Sequence, residues 1–452
     1  MKTELRHIIL LFTFSMVLLN ACLDKKDVKD STGNKPAKVS IQEIEVGIRD
    51  YIQQKTEEND GYFEVRDRGQ DFRMKLVRVH TEYLSNLGPK SHFACVDLAD
   101  VSGDVYDVDF FLEGEPGDMN VTETSVHKLN GKPFYAWKQK KDKTWNRVPV
   151  KDASTGLLGV IEGTDSFEFY YRVELPEISG RAKVWIPIAT TDEYQKVDIV
   201  SMELPVDHKL IMDKEFKNTI LYLEAESSQS QRSIEIRYKV DRLEKGPKEE
   251  QGSVDEKYLA ENILMPVGGR FTTIAQEATQ GRNSSDLMKA RALYDYIIDN
   301  MKYMKYGNYG NGDSNYACDV KTGNCTEFHS FFISLARSLR IPARFAVGAS
   351  IPSDRNDGGI DGYHCWAEFY AEGKWWPIDI SEANKYTALA TYYFGHHPAN
   401  RIELSRGRDL QVEPGPASGP INFLAYPIVE INGKAASAKT TFEFKRLAVP
   451  AL

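Results

Sequence analysis

Apolar positions along this chain keep a helical period in three stretches and a period of two through much of the rest. Ile41, Ile44, Ile48 and Ile52 recur at helical spacing and predict a helix. Phe72 to Val79 alternates as a strand does. Cys95 to Leu98 and Val105 to Leu112 bracket Ser102-Gly103-Asp104, the pattern of a hairpin. Between 160 and 245 the chain reads as all-β. Phe167, Phe169, Tyr171, Val173 and Leu175 alternate with polar or amphipathic residues, Pro176 ends that strand, and 182–187, 220–223 and 234–240 follow as further short strands. The helical period returns after Ser285-Asp286, a capping pair, with Ala290, Leu293, Tyr294, Ile297 and Met301. A Gly/Asn-rich loop covers 306–313. A second helix then starts near Cys325, with Phe328, Phe331, Phe332, Leu335, Ala336 and Leu339 as its buried stripe and Pro342 as its stop.

These changes of period predict an α+β, multidomain chain. Residues 41–150 form a helix on an antiparallel sheet, 155–245 a β-sandwich, and 255–447 a mixed domain with helices and strands. Glu244 to Gly252 is charged and carries Gly and Pro, so it reads as the linker between the last two. A length of 452 residues fits two or three such domains.

The first residues predict export. Lys2 and Arg6 precede a short apolar run, Ile8 to Leu19, too short to span a bilayer. The run ends in Leu19-Asn20-Ala21-Cys22, which resembles a bacterial lipobox. That resemblance implies a signal peptide over 1–22, cleavage before Cys22, and lipidation of Cys22, which anchors the chain to a membrane. Residues 23–40 are charged and small and read as a flexible tether. Leu23 is not the acidic residue associated with inner-membrane retention in some bacteria. The expected location is therefore the cell envelope, anchored in the outer membrane and facing periplasm or exterior. The formal net charge of −9, with no basic run, argues against nucleic acid as a partner.

Five cysteines occur, and their spacing lacks the close pairs of a zinc site. One of them carries a chemical pattern. Gly323-Asn324-Cys325-Thr326-Glu327-Phe328 places Cys325 in the first turn of a helix, where the helix dipole favours thiolate and the Cys325 N–H is free to face an oxyanion. Gly323 is expected to let the backbone turn tightly into that helix. Gly362 to Tyr370 reads as a strand, Ala371 to Lys374 as a turn and Trp375 to Asp379 as the return strand. With Glu372-Gly373 as a two-residue loop, 371 faces 374, Trp366 faces Asp379 and His364 faces Ser381. His364 and Asp379 then share one face as diagonal neighbours roughly 7 Å apart at the backbone. A thiolate nucleophile, an imidazole proton carrier and an orienting carboxylate are the parts of nucleophilic acyl transfer.

Asn324-Cys325-Thr326-Glu327-Phe328, Tyr363 to Tyr370 and Trp376-Pro377-Ile378-Asp379 resemble the three motifs of the transglutaminase-like superfamily. The order Cys, His, Asp, the intervals of 39 and 15 residues, and Arg337 to Arg344 on the helix exit fit that family. The likeness spans about 255–435. It implies a papain-like α+β core, with Cys325 as nucleophile, His364 as base and acid, and Asp379 as orienter. Tyr303, Tyr306 and Tyr309 are the aromatic candidates upstream of the cysteine for the oxyanion, and spacing selects none of them. Cys365 departs from the family, which commonly has a small apolar residue after the histidine.

The function expected is an extracytoplasmic, lipid-anchored cysteine enzyme acting on peptide or protein amides through a thioester. Water is the default acceptor, so a peptidase or amidase is expected rather than a crosslinker. The alternative is a non-catalytic lipoprotein that binds peptide or glycan and keeps a relic of the transglutaminase-like fold. No cofactor is implied, and no Asp-rich loop invites calcium. His80, His92 and His127 read as structural. His329, four residues after Cys325, and His396-His397 lack further ligands. Glu368 reads as half of a structural pair. Trp366, Trp375 and Trp376 suit either core or cleft, and Cys318 reads as unpaired with Cys325.

Overall fold

The helix Ile41–Glu58, α1, begins at Ser40, whose hydroxyl accepts from the Glu43 N–H while the Glu43 carboxylate accepts from the Ser40 N–H. Ile44, Ile48 and Ile52 lie along its inner face and are buried against an antiparallel sheet. Strands 63–67, 70–79, 91–100, 105–115, 118–129 and 132–133 are neighbours in that order, and the pair 91–100 and 105–115 is the hairpin expected from the sequence. Ala94, Val96, Leu98, Val108 and Phe110 meet α1. Alternation sends Cys95, Asp97, Asp107 and Asp109 to the opposite face. These four are buried as well.

The computed structural model describes residues 39–447 apart from 68, 140–144, 151–158, 251, 282–284, 306 and 386–388. The expected signal peptide, the lipobox with Cys22, most of the tether and Tyr306 lie outside the described residues. Everything from Val39 onward belongs to one compact unit. Among the described residues no helix is long and apolar enough to cross a membrane.

A sandwich of two five-stranded antiparallel sheets follows. One sheet has the order 195–203, 233–243, 164–174, 439–446, 357–360, and the other 208–212, 219–226, 181–188, 428–431, 434–436. Phe167, Phe169, Tyr171, Val184, Ile186, Ile236 and Tyr238 are part of the core between them. The sandwich is larger than residues 155–245. Strand 439–446 lies beside 164–174, with Phe442 opposite Tyr171, and so places its own Phe442 and Phe444 in the sandwich core. The boundary drawn at 255 therefore fails for the last strands. Their apolar faces are buried here, not in the preceding domain.

The third layer has helices Arg270–Ala278 (α2), Asp286–Asn300 (α3), Ser314–Val320 (α4), Cys325–Ser338 (α5) and Ile380–Lys385 (α6) packed about a five-stranded sheet. Its order is 248–249, 374–378, 364–371, 343–350, 401–406. Helix α5 is buried from Cys325 to Arg337, because sheet and helices cover it on all sides. The segment expected to be a linker is instead an edge strand. Lys248 pairs with Trp375, Lys245 bridges to His397, and the buried Lys245 ammonium donates to Glu368 Oε1 at 2.5 Å. Burial of a charge requires such a partner. The charges of this segment are divided: Lys245 is buried in an ion pair, while Lys248, Glu249 and Glu250 face solvent.

Candidate active site

Two short elements aim the site residues. The first is the N-terminus of α5. Asn324 caps it: Asn324 Oδ1 accepts from the Thr326 N–H at 2.8 Å, and Glu327 Oε2 accepts from the Asn324 N–H at 3.0 Å. The other Glu327 oxygen accepts from the N–H groups of Gly310 and Gly312, each at 2.8 Å. Glu327 therefore holds the Gly/Asn-rich loop over the start of the helix. Gly323 serves this arrangement through space, not through an unusual backbone angle. A Cβ there would lie 2.4 Å from Glu327 Cβ.

The second element is the hairpin 364–378. Its pairs Ala371–Lys374, Phe369–Trp376 and Ala367–Ile378 follow the expected register, and Glu372 and Gly373 take φ of 53° and 78°, as a type I′ turn requires. The expected pairs Trp366–Asp379 and His364–Ser381 do not form, since the strand ends at Ile378. Asp379 leaves the ladder to cap α6. Its Oδ1 accepts from the Glu382 N–H at 3.0 Å and the Ser381 hydroxyl at 2.9 Å.

That departure brings Asp379 Oδ2 to 2.6 Å from His364 Nε2. The second His364 nitrogen is not engaged by Asp379, and Cys325 lies close enough for the imidazolium and the thiolate to stabilise each other. All three side chains are buried; Cys325 is 2% exposed, His364 6% and Asp379 0%. Burial works against the His364 cation, but the Asp379 carboxylate prevails and raises its pKa to about 9. Burial likewise opposes the Cys325 thiolate. Hydrogen bonds from Cys365 and His364, and the two nearby imidazoles, carry its pKa well below the usual thiol value. Against the same burial, His364 and Arg401 hold Asp379 ionised. Both shifts run in the direction that favours thiolate and imidazolium over thiol and imidazole.

Two partners of this group lie outside the expected triad. Arg401 Nη2 donates to Asp379 Oδ2 at 2.6 Å, and its guanidinium lies 5.0 Å from the centre of the Trp366 ring. His329 supports the group from behind. Its Nδ1 lies 2.7 Å from the Cys325 carbonyl and its Nε2 accepts from the Ile380 N–H at 3.1 Å. These partners fix the neutral Nδ1–H tautomer, in keeping with the lowering of its pKa by burial. No local motif announces the role of Arg401; the four-residue spacing of Cys325 and His329, without further ligands, pointed to a packing or polar role for His329, and its bonds to Cys325 and Ile380 are of that kind.

The remaining expectations fall into place around this centre. Glu368 binds Lys245 and Arg344 and has no bond to His364. His397 is buried against the Ile378 carbonyl. Cys318 Sγ takes a hydrogen bond from Arg270 and is unpaired with Cys325. Cys365 points into the core, 3.7 Å from His329 Nδ1. Trp366, Trp375 and Trp376 are buried and do not line the cleft. That cleft, about 1190 Å³, is bordered by Tyr303, Asn324, Tyr363 and His364 on one side and by Ile360 and Phe442 of the sandwich on the other. Tyr309 also borders it. The Tyr363 hydroxyl accepts from Asn324 Nδ2 at 3.2 Å and donates to the Gly310 carbonyl at 3.3 Å.

Residues 272–380 match the family model of the transglutaminase-like superfamily. The chain carries a transglutaminase-like domain there, and Cys325, His364 and Asp379 all fall inside the match. A Haemophilus influenzae protein described as uncharacterized is 25% identical over 325 residues, which are 61% of this chain and 88% of its own length. Among solved structures, a candidate cysteine protease from Cytophaga hutchinsonii has a TM-score of 0.42 at 16% identity, covering 64% of this chain and 93% of its own. A candidate protease from Parabacteroides distasonis has a TM-score of 0.23 at 12% identity, with 64% and 63% covered. Likenesses at such scores carry no argument about substrate.

Proposed function

We propose that the chain is a cysteine enzyme that cleaves peptide or protein amides, anchored in the bacterial outer membrane through lipidated Cys22. The observation that carries the reading is the His364–Asp379 hydrogen bond at the wall of a cleft, with Cys325 beside the same imidazole at the start of α5. Cys325 thiolate adds to the amide carbonyl carbon, and the oxyanion forms beside the Cys325 N–H at the start of α5. His364 imidazolium gives its proton to the departing amine as the C–N bond breaks, leaving a thioester. Neutral His364 then takes a proton from water, which adds to the thioester, and thiolate departs. Asp379, held by Arg401 and the α6 cap, keeps Nε2–H directed at itself throughout. The open cleft admits water as acceptor, which favours hydrolysis over crosslinking.

The test is labelling with limiting iodoacetamide between pH 5 and 9, read by peptide mass spectrometry. Cys325 is expected to label ahead of Cys95, Cys318 and Cys365 below pH 8, and to lose that lead in His364→Ala. Equal, slow labelling of all four would sink the enzyme reading and leave a binding lipoprotein. Incorporation of a radiolabelled fatty acid, abolished by Cys22→Ala, tests the anchor.

A further inference from the structure

We propose that His80, Cys95 and Asp107 form a buried zinc-class metal site on the sheet face opposite α1. The three come from separate parts of the fold. Cys95 lies opposite Asp109, and Asp97 opposite Asp107, so Cys95 and Asp107 are diagonal neighbours on one face. His80 directly follows the adjacent strand, and its N–H donates to the Cys95 carbonyl at 3.0 Å. One donor atom from each of the three lies within 4.8 Å of the others. Small side-chain rotations bring such a set to the roughly 3.5 Å separations of ligands on tetrahedral zinc.

Two further observations point to an ion. Asp107 is 4% exposed, yet its Oδ1 has no hydrogen-bond partner, a costly state for a buried carboxylate. His80 Nδ1 lies 3.0 Å from Glu82 Oε1, the carboxylate–imidazole contact that orients metal-bound histidines. Its Nε2 lies 2.8 Å from Asp97 Oδ1, a hydrogen bond that an entering ion has to replace. Asp97 stands beside these three donors as the ion-pair partner of His80 and Arg291. One nitrogen, one sulfur and one oxygen, with the fourth position left to water, suit zinc, not calcium or magnesium. Binding forms bonds to His80 Nε2, Cys95 Sγ and the Asp107 carboxylate, and releases to solvent the Cys95 thiol proton and the proton shared by His80 and Asp97. The cationic groups facing the cluster are Arg291 at Asp97 Oδ2, 3.0 Å away, Lys128 at Asp107 Oδ2, and Arg78, which pairs with Glu82 beside His80. Arg291 and Lys128 remain in place when the ion enters. The donors are 12 to 27 residues apart, so the close-pair rule passed over them.

The test is metal content of the full chain by inductively coupled plasma mass spectrometry. About one zinc per chain is expected, falling to background in Cys95→Ala and Asp107→Asn and retained in Cys318→Ala. A second readout does not depend on those variants folding. Co²⁺ added to the metal-stripped chain carrying Cys325→Ala should give thiolate-to-cobalt charge-transfer absorption and tetrahedral d–d bands that saturate near one equivalent. No zinc and no such bands would overturn the site and leave His80 as a purely ion-paired residue. Bands that persist in Cys95→Ala would overturn it equally.

Discussion

His364 and His80 occupy nearly the same surroundings and do different things. His364 is buried and His80 half-buried, each with Nε2 against an aspartate, Asp379 at 2.6 Å and Asp97 at 2.8 Å. Each aspartate is also paired with a buried arginine, Arg401 at 2.6 Å and Arg291 at 3.0 Å. Burial opposes both imidazolium cations, the neighbouring carboxylate prevails in both, and both pKa values rise to about 9. A perturbed histidine inside an Asp–Arg pair is therefore no mark of catalysis. The other ring nitrogen makes the distinction. In His364 it faces a thiol at a helix N-terminus beside a cleft, and in His80 it meets Glu82.

The sharpest way to break this comparison is to neutralise each aspartate. Asp379→Asn should lower kcat/KM on a peptide amide by about 10²- to 10⁴-fold, because the amide no longer holds His364 in its working tautomer. Asp97→Asn should leave kcat/KM unchanged while lowering stability. Equal losses of activity would mean that the two histidines are not functionally distinct. Removing the arginines comes next. Arg401→Met and Arg291→Met each leave a buried carboxylate short of a partner and should cost about 3–5 kcal/mol in urea unfolding. Of the two, Arg401→Met alone should slow iodoacetamide labelling of Cys325.

The smallest effect expected is in the pH dependence of stability. His364 is raised from 6.5 to about 9, so its contribution is complete below pH 6.5 and fades as pH climbs through 9. Cys325 is depressed from 9.0, so its contribution is complete above pH 9 and fades as pH falls through its lowered folded value. Between pH 6.5 and 9 the unfolded pair holds one proton on sulfur and the folded pair holds one on imidazole, so the two slopes cancel. Wild-type stability should be flat across that window as far as this pair is concerned. Cys325→Ala removes one partner, and stability should then fall with rising pH by about 1–2 kcal/mol. An unchanged difference between the two proteins across the window would refute the ion pair.

Much of this was legible in the chain. The hairpin register from Ala367 to Ile378 followed from one turn, since Glu372-Gly373 admits the left-handed angles that a two-residue loop needs. The α5 boundary followed from Asn324 and Glu327, a capping box written in adjacent residues. The placement of Asp379 was right in neighbourhood and wrong in element. Asp379 with Ser381 competes for the backbone of α6, and that local capping bond ended the strand before the ladder reached His364.

What the sequence determined by itself was every feature built from neighbours a few residues apart: the amphipathic helices, the I′ turn and the cap that start α5 at Cys325 and set the hairpin carrying His364. Tertiary structure decided which distant charges share a buried space. Arg401 reaches Asp379 across 22 residues, Lys245 reaches Glu368 across 123, and strand 439–446 pairs with 164–174 to complete the sandwich. Short-range order is fixed by backbone hydrogen bonds and side-chain periodicity, which the order of residues encodes directly. Long-range pairing of buried charges is fixed by which surfaces lose water together, and that is settled by packing alone.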